Sequence, residues 1–115
     1  MPSHAKNEQS TLGEFEQLVL LALVRLRDNA YGVTIRAEIE RRAGREVSIA
    51  AVYTTLDRLE KKRLLSSWVG EPTAQRGGRS KRYFRLEPAG ADALAASYRS
   101  YKGMVAGLER QLEKL

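Results

Sequence analysis

Residues 15–26 constrain the fold of this chain more than any other segment, because they would form a helix that is apolar on nearly every side. Its apolar residues are Phe15, Leu18, Val19, Leu20, Leu21, Leu23, Val24 and Leu26. A surface helix has one apolar stripe, so a helix of this kind has to be enclosed on more than one face. We therefore expect it at the centre of the core. Thr11 and Glu14 have the spacing of a capping box, which predicts that the helix begins at Thr11.

The next two helices are predicted to be amphipathic. Within "VTIRAEIERRAG" the narrow apolar stripe comprises Val33 or Thr34, Ile35, Ile39 and Ala43. Gly44 follows it in the position of a C-terminal cap. Ser48 is placed to cap a third helix, whose larger apolar residues are Val52, Tyr53, Leu56 and Leu59. Small and hydrogen-bonding residues therefore occupy the early, outward side of this third helix.

Two runs of strand-forming residues then flank a loop rich in glycine and arginine. "RLLSSWVG" suits a strand, "KRYFRLE" alternates basic with aromatic or aliphatic residues, and "EPTAQRGGRS" between them carries proline and paired glycine. This combination predicts a β-hairpin with a long tip. Because side chains alternate along a strand, Tyr83 and Phe84 should face opposite sides, with one ring in the core.

The last segment opens with Pro88, which the first turn of a helix tolerates. Its apolar residues keep heptad spacing to the C-terminus: Ala91, Leu94, Tyr98, Tyr101, Val105, Leu108, Leu112 and Leu115. An unbroken helix with such a stripe needs an apolar partner, either a second copy of the chain or its own domain. We expect a dimer interface formed by Phe15, Leu94, Tyr98, Tyr101, Val105, Leu108 and Leu112. Gly103 and Gly107 predict either close approach of a partner or a weak, kinked helix.

This order of elements is that of a winged helix-turn-helix with an added arm. The expected fold is mainly α with a small β-hairpin and a long C-terminal dimerisation helix. We divide the chain into a tail (1–10), a winged helix-turn-helix domain (11–87) and the dimerisation helix (88–115). In such folds the third helix enters the major groove of DNA by its N-terminal end, and the hairpin, or wing, reaches the flanking backbone.

Charge favours a polyanionic partner, since 20 Lys and Arg against 14 Asp and Glu give a formal net charge of +6. Small residues and hydroxyls allow close approach to DNA bases, arginines neutralise phosphates, and glycines let the backbone come near. The residues predicted to bind double-stranded DNA are Ser48, Ala50, Ala51, Tyr53, Thr54, Thr55 and Arg58 on the third helix and Arg76, Gly77, Gly78, Arg79, Lys81 and Arg82 on the hairpin.

Several classes of protein are disfavoured by what the sequence lacks. It has no cysteine, its single histidine is His4, and it has no glycine-rich phosphate loop or paired carboxylates on a strand end. We therefore expect neither an enzyme nor a metal site or cofactor. The start of the chain lacks a signal-peptide pattern, and the longest apolar run, residues 18–24, is too short to cross a membrane. These features predict a cytoplasmic protein with no membrane partner.

Three stretches, "YGVTIRAEI", "SIAAVYTTLDRLEKKRLLSSW" and "GGRSKRYFRLEPAG", resemble the PadR family of bacterial transcriptional regulators, most closely its short-armed members with one C-terminal helix. The resemblance implies a homodimeric, usually repressing regulator that binds a pseudo-palindromic operator and is released by a small molecule or another cue. It implies that residues 48–62 form the recognition helix and that Tyr53, Arg79, Lys81 and Arg82 reach the DNA backbone. Residues 50–53 depart from the usual family pattern, which affects base preference rather than fold.

Some members of this family hold flat aromatic ligands with a tryptophan of the C-terminal helix. Here the sole tryptophan, Trp68, lies in the first wing strand, so the same arrangement is not expected. A candidate effector pocket would instead comprise Phe15, Tyr98, Tyr101 and Met104. The alternative is that these residues are plain interface core.

A different class of function fits the same elements. The basic wing would then bind an acidic protein partner or DNA without sequence preference, while the long helix dimerises. Sequence preference separates the two readings, because a regulator discriminates its operator from random DNA by a factor on the order of 10³ or more.

Overall fold

The described chain is mainly helical, with one small antiparallel sheet. The structure is a computed structural model, and it describes residues 11–71 and 80–115. Its elements are the helices α1 (Glu14–Leu26), α2 (Gly32–Ala43) and α3 (Ile49–Lys61), the strands β1 (Leu65–Val69) and β2 (Arg82–Leu86), and the helices α4 (Pro88–Val105) and α5 (Glu109–Lys114). A single 3-10 turn, Arg27–Asn29, leads from α1 towards α2. This architecture confirms the predicted fold class. The expected N-terminal tail lies outside the described residues.

Helix α1 lies at the centre of the core, as its sequence predicts. It packs against α2, α3, α4 and β2, and Val19 and Leu20 have no exposed surface. One side remains open, since Leu21 and Val24 are 45% and 50% exposed. The core therefore encloses α1 on several sides but leaves an apolar strip of it uncovered.

The start of α1 differs from the prediction. The helix begins after Gly13 instead of at Thr11, and Oε1 of Glu16 accepts a hydrogen bond from the Gly13 backbone N at 2.9 Å. Glu14 is already helical, and its carboxylate lies 3.2 Å from Nη1 of Arg45. The back-reaching carboxylate of the N-terminal turn is thus that of Glu16, two residues later than the expected one.

The predicted C-terminal cap of α2 is confirmed at Gly44. Gly44 terminates α2 in the left-handed conformation, with φ of 69°, which glycine adopts at no steric cost. Oε2 of Glu40 accepts a hydrogen bond from the Val47 backbone N at 2.9 Å and lies 3.5 Å from Nε of Arg36. These contacts fix the turn that aims α3 away from α2.

The two wing strands pair antiparallel, with Trp68 opposite Tyr83 and Ser67 opposite Phe84. Phe84 has no exposed surface while Tyr83 is half-buried on the other face, which confirms that only one of the two rings faces the core. The backbone N of Phe84 also donates to the carbonyl of Ala30 at 2.9 Å. The wing is therefore joined to the connection between α1 and α2.

The C-terminal segment is not one unbroken helix, contrary to the heptad prediction. Helix α4 ends at Val105, Ala106 is extended with ψ of 126°, and Gly107 has φ of 86° before α5 begins. A residue in the left-handed region cannot continue a right-handed helix. The kinked alternative is thus confirmed at Gly107, and Leu108 and Leu112 do not extend the stripe of α4.

The first turns of α4 are fixed against the end of the helix-turn-helix. A Cβ added at Gly90 would lie 2.0 Å from the Leu64 carbonyl oxygen, so only glycine fits there. The same oxygen accepts a hydrogen bond from the Glu87 backbone N at 3.0 Å. Because Ala93 is buried as well, the proximal part of α4 belongs to the core. The distal part projects from it, with Tyr101 65% exposed.

A partly buried ionic cluster ties α1 to the end of α3. Oε2 of Glu16 lies 3.1 Å from Nζ of Lys62 and 3.8 Å from Nη1 of Arg58. Burial by itself raises the pKa of Glu16, but the hydrogen bonds from Gly13 and Lys62 and the charges of Lys62 and Arg58 outweigh it, so the pKa is lowered. The ionised carboxylate therefore stabilises the folded state.

We expect Glu16→Gln to lower the free energy of unfolding by about 2 kcal/mol at neutral pH, because the network loses its negative charge and one of its two acceptor oxygens. The pKa of Glu16 is depressed in the folded chain, so this stabilisation is complete above the ordinary value of 4.5 and is lost as pH falls through the folded value. Urea unfolding at several pH values measures it. Glu14→Gln is the matched control, because that side chain is 76% exposed and its pair should contribute little. A deficit of Glu16→Gln that did not shrink in acid would contradict this account.

Candidate nucleic-acid interface

The first turns of α3 present small and polar residues to solvent. Oγ of Ser48 accepts a hydrogen bond from the Ala51 backbone N at 3.0 Å, so this side chain caps the helix as predicted. Val52, Leu56 and Leu59 have no exposed surface and hold the opposite side of α3 in the core. The exposed residues of these turns, which we call the α3 stripe, are Ser48, Ala50, Ala51, Tyr53 and Thr54.

Thr55 does not belong to the α3 stripe. It is only 4% exposed, so the expectation that it faces DNA is wrong. Helical spacing gives the reason, because Thr55 lies three residues after Val52 and four before Leu59 and shares their buried face. Arg58 is exposed as expected, but it also pairs with Glu16 of α1.

Tyr53 is held at the start of α2. A Cβ added at Gly32 would lie 2.2 Å from the hydroxyl oxygen of Tyr53, which shows that the phenol ring packs directly on the Gly32 backbone. The ring nevertheless stays 39% exposed. Gly32 at the start of α2 is therefore required for packing, because any larger residue there would fill the space that the Tyr53 ring occupies.

The described part of the wing carries two of the predicted cationic contacts, Lys81 and Arg82. Nζ of Lys81 lies 5.2 Å from the centroid of the Tyr31 ring, within range of a cation–π interaction. The other predicted wing residues, Arg76, Gly77, Gly78 and Arg79, lie outside the described residues. Lys81 thus marks the base of the wing on the side of α2.

Arg82 occupies a different environment from the one the sequence predicted. Its Nη2 contacts Oε1 of Glu60, its Nη1 lies 3.5 Å from Oδ1 of Asp57, and its Nε donates to Oγ of Ser67 at 3.1 Å. Sequence reasoning missed the acidic partners, because no local spacing relates residue 82 to residues on α3. A guanidinium shared by these groups is not a free phosphate ligand.

The sequence did not predict a row of aromatic rings on the outer face of the wing. Trp68 stacks on Tyr83 with ring centroids 5.6 Å apart, and Tyr31 meets Tyr83 edge-on at 5.5 Å. The guanidinium carbon of Arg85 lies 4.8 Å from the Trp68 ring centroid. Strand alternation places Trp68 on one face, but only the pairing register shows that Tyr83 is its neighbour. This row stiffens the wing from the side away from the core.

The residues predicted to form a dimer interface fall into two groups. Phe15 and Leu94 are half-buried against the core of their own protomer, and Val105 is half-buried on α4. The remaining ones are exposed: Tyr98, Tyr101, Leu108 and Leu112. Together with Leu21 of α1, Tyr98 and Tyr101 form an apolar surface that this protomer does not cover.

Two open clefts lie along this surface. One, of about 270 Å³, is lined by Gln17, Leu21, Leu94, Tyr98 and Tyr101. The other, of about 620 Å³, includes Tyr101 and Met104 among its lining residues. Phe15 lines neither cleft. Its ring packs beneath Arg45, whose guanidinium carbon lies 5.8 Å from the ring centroid. The structure thus joins Tyr98, Tyr101 and Met104 along one surface but separates Phe15 from them.

These elements define a winged helix-turn-helix protein with an added C-terminal arm, the fold of many DNA-binding regulators. In helix-turn-helix proteins the second helix of the motif, which is α3 in this order of elements, lies in the major groove of DNA. Within residues 11–71 and 80–115, no group of three or more His, Cys, Asp or Glu side chains is placed to hold a metal ion. Across the same two ranges, no helix is both long and apolar enough to span a bilayer.

Comparison with known proteins agrees with this class. The chain matches the Transcriptional regulator PadR-like family over residues 20–96, which is more than half of its length. It therefore belongs to that family, whose members are DNA-binding transcriptional regulators and not enzymes. No curated protein matches the chain.

Solved structures show the same fold. A PadR family transcription regulator from Clostridium difficile R20291 has a TM-score of 0.69 and 24% identity, covering 87% of this chain and 99% of that one. A PadR family transcriptional regulator from Eggerthella lenta DSM 2243 has a TM-score of 0.64 and 26% identity, with coverage of 85% and 83%. A PadR-like transcription factor from Bacteroides fragilis has a TM-score of 0.68 and 22% identity, with coverage of 96% and 98%.

We expect Gly32→Ala to displace the Tyr53 ring and to lower the free energy of unfolding by about 1 kcal/mol, since the added methyl overpacks the contact but a partly exposed ring can swing outward. The cost should disappear in the Tyr53→Ala background. Urea denaturation of the two single variants and the double variant measures both. Gly103→Ala is the control, because nothing lies within 4 Å of a Cβ there and alanine favours a helix interior. An equal cost of Gly32→Ala in both backgrounds would rule out Tyr53 as its cause.

Proposed function

We propose that this chain is a homodimeric repressor that binds a pseudo-palindromic operator through α3 and the wing and is released by a small-molecule effector or another cue. Residues 11–87 form the DNA-binding unit, residues 88–115 form the dimerisation arm, and the protein acts in the cytoplasm. The observation that carries the proposal is the α3 stripe, a capped helix N-terminus with small, exposed residues beside a cationic wing base.

The small residues of the α3 stripe permit close approach to the edges of DNA bases. Ala50 and Ala51 present only methyl groups, and the hydroxyl of Thr54 is exposed one turn further along the helix. A methyl group suits contact with a thymine methyl, and a hydroxyl bonds either bases or phosphates. Tyr53, held over Gly32, would meet the backbone beside them. We therefore assign base contacts to Ala50, Ala51 and Thr54 and backbone contacts to Ser48, Tyr53, Arg58 and Lys81.

Dimerisation is supported by apolar surface that one protomer leaves open. On α4, Tyr98 and Tyr101 are 60% and 65% exposed, and Met104 is 79% exposed. On α1, Leu21 is 45% exposed and lines the smaller cleft together with both tyrosines. A contiguous apolar patch of this kind marks an interaction site. A second copy would cover both strips, and a C2 dimer would present two α3 helices to successive major grooves.

Effector binding is proposed at the clefts beside Tyr98, Tyr101 and Met104. Both clefts lie along the apolar surface assigned to the dimer, and the smaller one has Tyr98 and Leu94 on one wall and Leu21 on the other. An apolar small molecule there would change how α4 packs on α1. Such a change would alter the separation of the two DNA-reading helices.

Selection from a random duplex library at near-physiological salt tests the central proposal. We expect enrichment of an inverted repeat whose half-sites are about one helical turn apart. Thr54→Ala should change the enriched bases, since Thr54 is assigned a base contact. Arg99→Ala, an exposed change on α4, is the control that should leave them unaltered. An unenriched pool from folded dimer would instead favour a protein partner or DNA binding without sequence preference.

We expect Tyr101→Glu to give monomers that lose operator affinity, because the charge is placed in the proposed apolar interface and a single half-site supplies only part of the binding energy. Sedimentation velocity measures the oligomeric state. Arg99→Glu is the matched control on the same helix, since Arg99 does not belong to the apolar stripe. A Tyr101→Glu variant that sediments as a dimer would show that this surface is not the interface.

A further inference from the structure

Arg82 is the centre of a four-residue cluster that joins the wing to α3. Its guanidinium meets the carboxylates of Glu60 and Asp57 on α3 and the hydroxyl of Ser67 on β1. The hydroxyl of Ser67 in turn donates to Oε2 of Glu60 at 2.8 Å. We call Asp57, Glu60, Ser67 and Arg82 the Arg82 cluster. It connects one helix to both strands of the wing.

The carboxylates of the cluster lie where negative charge would oppose DNA binding. Asp57 follows Thr54 by three residues, so it continues the α3 stripe by one helical turn, and it is 55% exposed. Left uncompensated, Asp57 and Glu60 would repel phosphates from the helix assigned to the major groove. Arg82 lies within 3.5 Å of Asp57 and also contacts Glu60, so one cation compensates two carboxylates.

The geometry of the guanidinium fits anchoring better than phosphate binding. Its Nε and both terminal nitrogens each have a partner within the cluster. Its carbon lies 5.0 Å from the centroid of the Phe84 ring, which is buried in the core. Lys81, the preceding residue, contacts a ring and has no carboxylate partner among the residues that the structure describes.

We propose that Arg82 is a positioning residue of the DNA-binding surface, which fixes the base of the wing against α3 and compensates Asp57 and Glu60, and that it is not a phosphate contact. The effect of Arg82 on DNA binding rests on the function proposed above. The anchoring of the wing does not, because it is a property of the free protein. Arginine suits this purpose because its planar fork reaches several acceptors at once.

The anchoring is tested in the absence of DNA through Trp68, the only tryptophan of the chain. Trp68 follows Ser67 on β1 and pairs with Tyr83, which is adjacent to Arg82. We expect Arg82→Met and Glu60→Gln each to shift Trp68 emission to the red and to raise its quenching by acrylamide. The double variant should change no more than Arg82→Met alone, because that variant has already lost the contact between Arg82 and Glu60. No shift in either single variant, or a double shift equal to their sum, would overturn the proposal.

Whether Arg82 contacts a phosphate is tested by measuring the affinity for a random DNA duplex at several salt concentrations. A phosphate contact contributes about 0.9 to the slope of log K against log salt. We expect Arg82→Met to weaken binding on the order of 2- to 5-fold, as an exposed ionic cluster allows, without lowering the slope. Lys81→Met is the matched control and should lower the slope by about 0.9. A slope lowered to the same extent by Arg82→Met would overturn the proposal.

The two measurements separate the possible failures. If the parent protein bound no duplex DNA, the proposed function would fail while the Trp68 experiment still decided whether Arg82 anchors the wing. Far-UV circular dichroism and urea midpoints establish that each variant is folded before either measurement. Because Arg82 is 41% exposed at its side chain, its substitution leaves the core intact.

Discussion

Enclosure of α1 holds the other helices and the wing of this protein in their relative positions. Val19 and Leu20 are fully buried between α2, α3, α4 and the second wing strand, so each of these elements packs on the same helix. Burial of apolar side chains is the main favourable term in folding, at about 25 cal/mol per Å². The small sheet could not stand alone, since two strands are marginally stable without packing. Phe84 supplies that packing from the wing, and the Ala30 carbonyl adds a backbone hydrogen bond.

Features governed by local periodicity were predictable from the sequence. The three- and four-residue spacing of Val52, Leu56 and Leu59 fixed the buried side of α3 and, by exclusion, its exposed stripe. Thr55 is the exception, because its small polar side chain suits the exposed group whereas its spacing from Val52 and Leu59 places it on the buried side. The Gly44 and Ser48 caps depend on backbone chemistry within one turn, and both were correctly identified.

Features governed by contacts between distant residues were not predictable in this way. The break at Gly107 is different, because it is a local feature: the left-handed conformation of that residue ends the heptad pattern, and a kinked helix is one of the two alternatives that the glycine predicts. The basic run around Arg82 predicts a contact with DNA, whereas its partners, Asp57 and Glu60, lie on a helix 20 or more residues earlier in the chain. A basic composition describes the total charge of a surface and does not reveal which cations are already paired.

The wing, α3 and the arm converge at Leu64. This residue lies between the end of α3 and the start of β1, its carbonyl accepts the hydrogen bond of Glu87, and Gly90 of α4 packs on the same oxygen. A backbone contact this close leaves little freedom for α4 to tilt independently of β1. In the proposed dimer, the angle at Leu64 and Gly90 would therefore set the separation of the two α3 helices. A ligand beside Tyr98 and Tyr101 would act on the far part of the same rigid helix, so a small change in its packing would become a change in half-site spacing.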